Sequence, residues 1–280
     1  MTLIIYYLSV TFVTFNPKSN LIMKQKVFIL IAALLLIGCN KKKEQASNSN
    51  RTADNYQTIE KEIKIIPISH ATAVIEYDDL VIYLDPVGGQ EAFKDQKKPQ
   101  LVLITDIHGD HLSIETLKEL DLYGTVLVTP KAVIDEFPDD FKPMHKVLNN
   151  GESTIINNIN IEAVPMYNLR EEALKFHQKG RGNGYVINLG GERLYISGDT
   201  EDIPEMRKLK NIDKALVCMN LPYTMTVESA ASAVLEFQPK QVYPYHYRGT
   251  DGFSNVEEFK NLVNKTNPEI EVVQLNWYPN

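Results

Sequence analysis

One loop constrains this chain more than any other stretch: Thr-Asp-Ile-His-Gly-Asp-His at residues 105–111. It follows the apolar run 101–104, which predicts a buried strand, and it precedes a segment in which Ser113 can cap a helix. Imidazole and carboxylate groups are the ligands that borderline divalent metals prefer. The loop is therefore a candidate metal site that offers four side chains: Asp106, His108, Asp110 and His111.

The spacing within this loop predicts more than one binding point. In an extended loop, alternation lets residues 106 and 108 point in one direction, while the adjacent pair 110 and 111 turns toward a second point. Such a geometry can hold two metal ions a few ångström apart. The alternative is a polar loop that only caps the following helix, but two His and two Asp within six positions favour the metal site.

Three further polar residues flank predicted strands later in the chain. His177 precedes a predicted strand pair at 185–189 and 194–197, and Asp199 follows that pair in a Gly-Asp-Thr sequence. His246 follows a predicted strand at 241–244. Their order along the chain is Asp-x-His-x-Asp-His, then His, Gly-Asp and His.

This ordered set resembles the signature of the metallo-β-lactamase superfamily, with Asp106 at the position where a first His is usual. Three further motifs resemble the branch of the superfamily that contains L-ascorbate-6-phosphate lactonase. They are Ser69-His70, Asp85-Pro86 and the Phe-His-x-Lys-Gly sequence at 176–180. The resemblance covers about residues 62–275. It implies an α/β fold, an αββα sandwich of two mixed β-sheets with helices outside.

The resemblance also implies roles for these residues. One metal ion would be bound by His108, His177 and Asp106. The other would be bound by Asp110, His111 and His246, and Asp199 and a water molecule would bridge the two ions. Asp110 would orient the attacking water or move its proton. The implied ligands are Asp106, His108, Asp110, His111, His177, Asp199 and His246. Two divalent ions, zinc or manganese, are expected, and a carboxylate at 106 leaves a single ion as the alternative.

Several other residues are candidates for substrate contacts or for structural roles. Four are expected as possible substrate contacts because they lie near predicted strand ends: His70, Tyr223, Tyr245 and Arg248. Asp85 is expected to support a ligand rather than to bind metal itself. His145 is interpreted as a structural surface residue, and Cys218, inside an apolar strand, as a small buried hydrophobe.

The N-terminal part predicts export and lipid attachment. Residues 1–38 are predicted to be a signal peptide, and Met23 is a possible start because a complete signal follows it. That signal consists of a basic start, an apolar run at 27–37, and Leu-Ile-Gly before Cys39. These residues resemble a lipobox, which implies lipidation of Cys39. The alternative is a transmembrane anchor, for which the run is short. Residues 39–57 predict a polar tether and 58–280 the folded domain, held at a bacterial cell envelope.

Charge and composition exclude some classes of function. The net charge is −7 and no basic cluster interleaves with aromatic residues, which argues against a nucleic-acid partner. Two cysteines cannot form a disulfide framework. The expected function is hydrolysis of a small ester, lactone or phosphodiester by a metal-activated water. The alternative is a non-catalytic, metal-binding lipoprotein of the same fold.

Overall fold

The computed structural model describes residues 61–279. The predicted signal peptide (1–38), the tether (39–57) and the lipidation residue Cys39 lie outside the described residues. The domain boundary at residue 58 therefore stays a prediction. Between residues 61 and 279, none of the helices has the length and apolar character needed to cross a bilayer.

Six strands form the first sheet in chain order: β1 (Lys64–Ser69), β2 (Thr72–Tyr77), β3 (Leu80–Leu84), β4 (Leu101–Leu103), β5 (Val126–Thr129) and β6 (His145–Val147). Strands β1 to β3 pair antiparallel, and β3 to β6 pair parallel. Asp78 adopts a left-handed backbone with φ +55° at the turn between β2 and β3. From the sequence, the Asp78-Asp79 pair between two apolar segments predicts a short hairpin turn, and the antiparallel pairing of β2 with β3 confirms it.

Seven strands form the second sheet: β7 (Ser153–Ile156), β8 (Ile159–Met166), β9 (Gly182–Leu189), β10 (Glu192–Ile196), β11 (Lys214–Cys218), β12 (Gln241–Tyr245) and β15 (Glu271–Val272). Their order across the sheet is β15-β12-β11-β10-β9-β8-β7. The strands from β15 to β10 pair parallel, and those from β10 to β7 pair antiparallel. A separate ribbon joins β13 (Arg248–Gly249) to β14 (Gly252–Phe253).

The helices are α1 (Ile114–Glu119), α2 (Lys131–Asp135), α3 (Pro204–Arg207), α4 (Val227–Phe237) and α5 (Val256–Thr266), with 3-10 turns at Gln90–Phe93 and Glu171–Ala173. Ser113 caps α1 as predicted, since its side chain accepts a hydrogen bond from the Thr116 backbone N–H. From the sequence, Ser254 is predicted to cap α5 because serine is a favoured N-cap residue, and this prediction is wrong. Asn255 caps it, because the Ser254 hydroxyl is used in a hydrogen bond to the Met219 carbonyl.

Alternation along the first sheet shows how the layers pack. On β4, Leu101 and Leu103 face the large core shared with the second sheet, whereas Val102 faces a smaller core that contains Leu117 of α1. The outer face of the second sheet packs against α4 and α5, whose buried residues include Phe237 and Phe259. Both sheets are thus covered by helices, and the predicted αββα sandwich is confirmed.

Candidate metal centre

The predicted ligands meet at one edge of the sandwich, where strands of both sheets end. The loop 105–111 follows β4, His70 follows β1, Asp199 follows β10 and His246 follows β12. Since parallel strands place their carboxyl ends at the same edge, segments far apart in sequence come together there. His70 and His246 adopt left-handed backbones, with φ +54° and +47°. Such conformations are uncommon for residues other than glycine and concentrate at functional sites.

Asp199 lies at the centre of the cluster. Its Oδ2 atom is 3.2 Å from His177 Nε2 and 3.4 Å from His111 Nε2. Its Oδ1 atom is 3.2 Å from His246 Nε2. The Asp199 residue is only 3% exposed, so three imidazoles converge on one buried carboxylate.

The spacing of these atoms fits a divalent cation. A metal ion held at about 2.0–2.2 Å by a tetrahedron of ligands keeps the ligand atoms about 3.4 Å apart. His111 Nε2 and His246 Nε2 are 3.1 Å apart, and His246 Nε2 is 3.4 Å from Asp110 Oδ2. Asp199 Oδ1 and His177 Nε2 are buried without a hydrogen-bond partner among residues 61–279. Unpaired buried acceptors of this kind are stabilised by a bound cation.

The electrostatics of the cluster favour positive charge. Burial alone would raise the pKa of Asp199, but His246 and His111 hold that pKa well below its usual range. Burial would also raise the pKa of Asp110, and hydrogen bonds from His246 and His70 instead lower it. Burial opposes a charged His111, yet Asp199 and Asp85 raise its pKa well above the usual value. Protons and metal ions therefore compete for the same nitrogen atoms.

Asp85 fixes the orientation of His111. The Asp85 carboxylate is fully buried, accepts a hydrogen bond from His111 Nδ1 at 2.8 Å, and is held in turn by the Thr105 backbone N–H at 2.7 Å. With Nδ1 occupied, His111 Nε2 points toward Asp199. Residues that orient ligands in this way sharpen metal affinity, so the geometry agrees with the supporting role predicted for Asp85.

Asp106, His108 and His177 form a second group, with ligand atoms within 4.8 Å of one another. Asp106 is fully buried and paired with the guanidinium of Arg181, which sequence analysis did not single out. A carboxylate buried at the end of a core strand requires a cationic partner, so the sequence could indicate that Asp106 has one. Arg181 stands directly before β9 in a glycine-rich stretch, but the sequence contains no indication that it reaches residue 106.

The predicted substrate contacts divide into three cases. His70 and Tyr223 line a cleft of about 400 Å³ beside the cluster, together with Phe176 and Asn220, which sequence analysis missed. Arg248 lines an adjoining hollow of about 370 Å³ that also contains His70. The placement of Tyr245 as a substrate contact is wrong. Its side chain turns inward from β12 and is fully buried in the core against Trp277.

The two residues predicted to be structural, His145 and Cys218, differ in exposure. His145 is exposed, and its Nδ1 atom lies 3.0 Å from the Pro143 carbonyl oxygen. Cys218 is fully buried, and burial raises the pKa of its thiol to about 12. Such a thiol is an inert hydrophobe rather than a nucleophile.

Two mixed sheets between helices, with an Asp and His cluster at one sheet edge, define the metallo-β-lactamase class of fold. The family model described as the beta-lactamase superfamily domain matches residues 64–246. This chain belongs to that superfamily, so the predicted superfamily membership is confirmed.

Relatives support the same assignment. A Parabacteroides distasonis protein assigned as a metal-dependent hydrolase has a crystal structure with a TM-score of 0.69 and 36% identity, covering 78% of this chain and 94% of its own. A UPF0173 metal-dependent hydrolase of Thermodesulfovibrio yellowstonii is 30% identical, over 67% of this chain and 76% of its own length. One from Pyrococcus abyssi is 28% identical, over 72% and 92%. The chain thus falls among metal-dependent hydrolases.

Proposed function

We propose that this protein hydrolyses a small ester, lactone or phosphodiester through a metal-activated water, and that the ion, zinc or manganese, is held around Asp199. The observation that carries the proposal is the convergence of His111, His177 and His246 on the Asp199 carboxylate within 3.4 Å. When bound there, a divalent ion lowers the pKa of a water molecule and polarises the scissile bond.

The residues around the cleft supply the remaining functions. Asp110 is 41% exposed and is held by His70 Nε2 at 3.3 Å, so its carboxylate can orient a water molecule within the cleft. Tyr223 and Phe176 form an aromatic wall, with ring centroids 5.0 Å apart. His177 is fixed by its Nδ1 atom, which lies 3.1 Å from the Tyr223 carbonyl oxygen. An aromatic wall beside polar groups suits a small organic substrate.

Within the superfamily, the proposed branch is the one that contains L-ascorbate-6-phosphate lactonase. Support comes from His70 and Asp85, two residues that carry the sequence resemblance and lie within the cluster or directly behind it. Arg248, in the hollow next to His70, offers a positive charge for an anionic group on such a substrate.

Removing the metal is expected to abolish hydrolysis, because the attacking water then loses its activation. The full-length protein would be stripped with a chelator, reloaded with Zn²⁺ or Mn²⁺, and assayed on a nitrophenyl ester, a lactone and a bis-nitrophenyl phosphate. Activity that returns only with metal supports the proposal. Metal-free protein as active as the reloaded protein contradicts it, and metal binding without turnover of any substrate favours the non-catalytic alternative.

We further propose that a lipid on Cys39 holds the protein at the bacterial envelope. The support is the signal-like pattern of residues 23–39. Labelled fatty acid is expected to enter the full-length protein expressed in a bacterium, and Cys39→Ser should lose the label and leave the membrane fraction. Cys218→Ala, which changes the other cysteine, should keep both. Label that persists in Cys39→Ser would rule the anchor out.

A further inference from the structure

The carboxylate of Asp106 is already fully occupied by other groups. Arg181 Nε donates to Asp106 Oδ1 at 3.0 Å, and Arg181 Nη2 donates to Oδ2 at 2.7 Å. His108 Nδ1 lies 2.9 Å from the same Oδ2 atom. Asp106 is fully buried and does not line the 400 Å³ cleft. Two charge-assisted hydrogen bonds in a buried, bidentate pair are strong, so this carboxylate is not free to bind a cation.

The guanidinium of Arg181 also connects two parts of the site. Its Nη2 atom donates to the Phe176 carbonyl oxygen at 2.6 Å and lies 3.3 Å from His108 Nε2. It therefore joins the loop that contains Asp106 and His108 to the segment that contains Phe176 and His177. A metal ion bound by Asp106, His108 and His177 would link the same two segments.

Within the described part of the chain, the unpaired carboxylate oxygen of the cluster is Asp199 Oδ1. The Asp199 residue is only 3% exposed, and this oxygen lies 3.2 Å from His246 Nε2. By contrast, both oxygens of Asp106 are paired. The need for a cation is thus concentrated on the Asp199 side of the cluster.

We propose that the Arg181–Asp106 ion pair takes the place of a second metal ion, so that the protein binds one divalent ion, through Asp110, His111, Asp199 and His246. The inference rests on the proposed function, because the ion is the same one. Arg181 is a positioning residue: it fixes His108 and the loop that supplies the ligands, and its positive charge cancels the attraction that Asp106 would exert on a divalent ion at the His108 side.

The test is metal stoichiometry, measured by elemental mass spectrometry on full-length protein equilibrated with excess Zn²⁺ or Mn²⁺. The wild type is expected to hold one ion. Asp106→His should still hold one, because Arg181 stays beside the new imidazole. The double variant Asp106→His/Arg181→Gln should hold two, because the imidazole then replaces the carboxylate and the repelling charge is gone. Arg193→Gln, which removes an arginine paired with Glu162, is the matched control and should hold one.

The other outcomes separate this inference from the proposed function. A wild type with two ions, one of which is lost in Asp106→Ala, overturns the inference and leaves the hydrolase proposal intact. A folded double variant that still holds one ion also overturns it. No ion in any variant contradicts the proposed function itself. If the double variant does not fold by circular dichroism, anomalous scattering from wild-type crystals decides. A single peak beside Asp199 supports the inference, and a peak between Asp106 and His108 overturns it.

Discussion

Asp199→Ala is expected to lose its bound metal and to lower the rate of hydrolysis by at least about a hundred-fold. Asp199 is the residue on which His111, His177 and His246 all converge within 3.4 Å. Without this carboxylate, three neighbouring imidazoles remain with less negative charge to balance a divalent ion. Metal content by elemental mass spectrometry and the initial rate of ester or lactone hydrolysis measure the two effects separately.

The control for this variant is Asp213→Ala. Asp213 also forms an ion pair, with Lys240 at 2.7 Å, but it precedes β11 and so lies at the opposite edge of the second sheet. This variant should keep both metal and activity. Asp199→Asn preserves the shape of the side chain and removes its charge, so a loss of metal there identifies the charge as the cause. Full metal content in Asp199→Ala would mean that the ion is held elsewhere.

Trp277→Ala is expected to lower the free energy of unfolding by about 3–5 kcal/mol. Trp277 is fully buried and packs against Tyr245, the residue before His246, with ring centroids 5.4 Å apart. Its carbonyl oxygen accepts a hydrogen bond from the His70 backbone N–H at 3.2 Å. The substitution would therefore open a cavity in the core and loosen two residues of the site at once.

Urea unfolding followed by circular dichroism measures this effect. Fluorescence is unsuitable because Trp277 is the chain's single tryptophan. Trp277→Phe is the matched variant. It keeps an aromatic ring, and the indole Nε1 atom that it removes has no hydrogen-bond partner among residues 61–279. Trp277→Phe should lower the free energy of unfolding clearly less than Trp277→Ala does. Equal unfolding midpoints for the wild type and Trp277→Ala would show that the C-terminal segment does not support the core.

The charge balance between Arg181 and Asp106 favours one bound metal ion over two. Two unit charges at 4 Å interact by about 4 kcal/mol at an effective dielectric constant of 20, so an Asp106 carboxylate without its partner would attract a divalent ion at that distance by about 8 kcal/mol, and the positive charge of Arg181 cancels this attraction. A tenfold change in affinity corresponds to about 1.4 kcal/mol. The Arg181–Asp106 pair therefore offers a second ion no net negative charge, and it offers no free ligand atom because both Asp106 oxygens already accept hydrogen bonds from Arg181.

The sequence by itself determined the sandwich fold and the part of the cluster that lies at strand ends. Apolar runs that end in polar residues mark buried strands, and the carboxyl ends of parallel strands meet at one edge. Asp110, His111, Asp199 and His246 lie at such strand ends, and the resemblance to the metallo-β-lactamase superfamily predicted that they bind metal together. The same local pattern identified Asp85 as a support, because it directly follows β3.

Only the tertiary structure decided which distant residues touch. Arg181 reaches Asp106 across 75 positions, and Tyr278 lies 2.8 Å from His70 Nδ1 across 208 positions. Tyr245 and His246 are adjacent, yet one side chain enters the core and the other the cluster, because β12 ends at Tyr245 and His246 turns out of the strand with a left-handed backbone of φ +47°. The paths of loops and the register between strands set such contacts, and neither is encoded in a local pattern of residues.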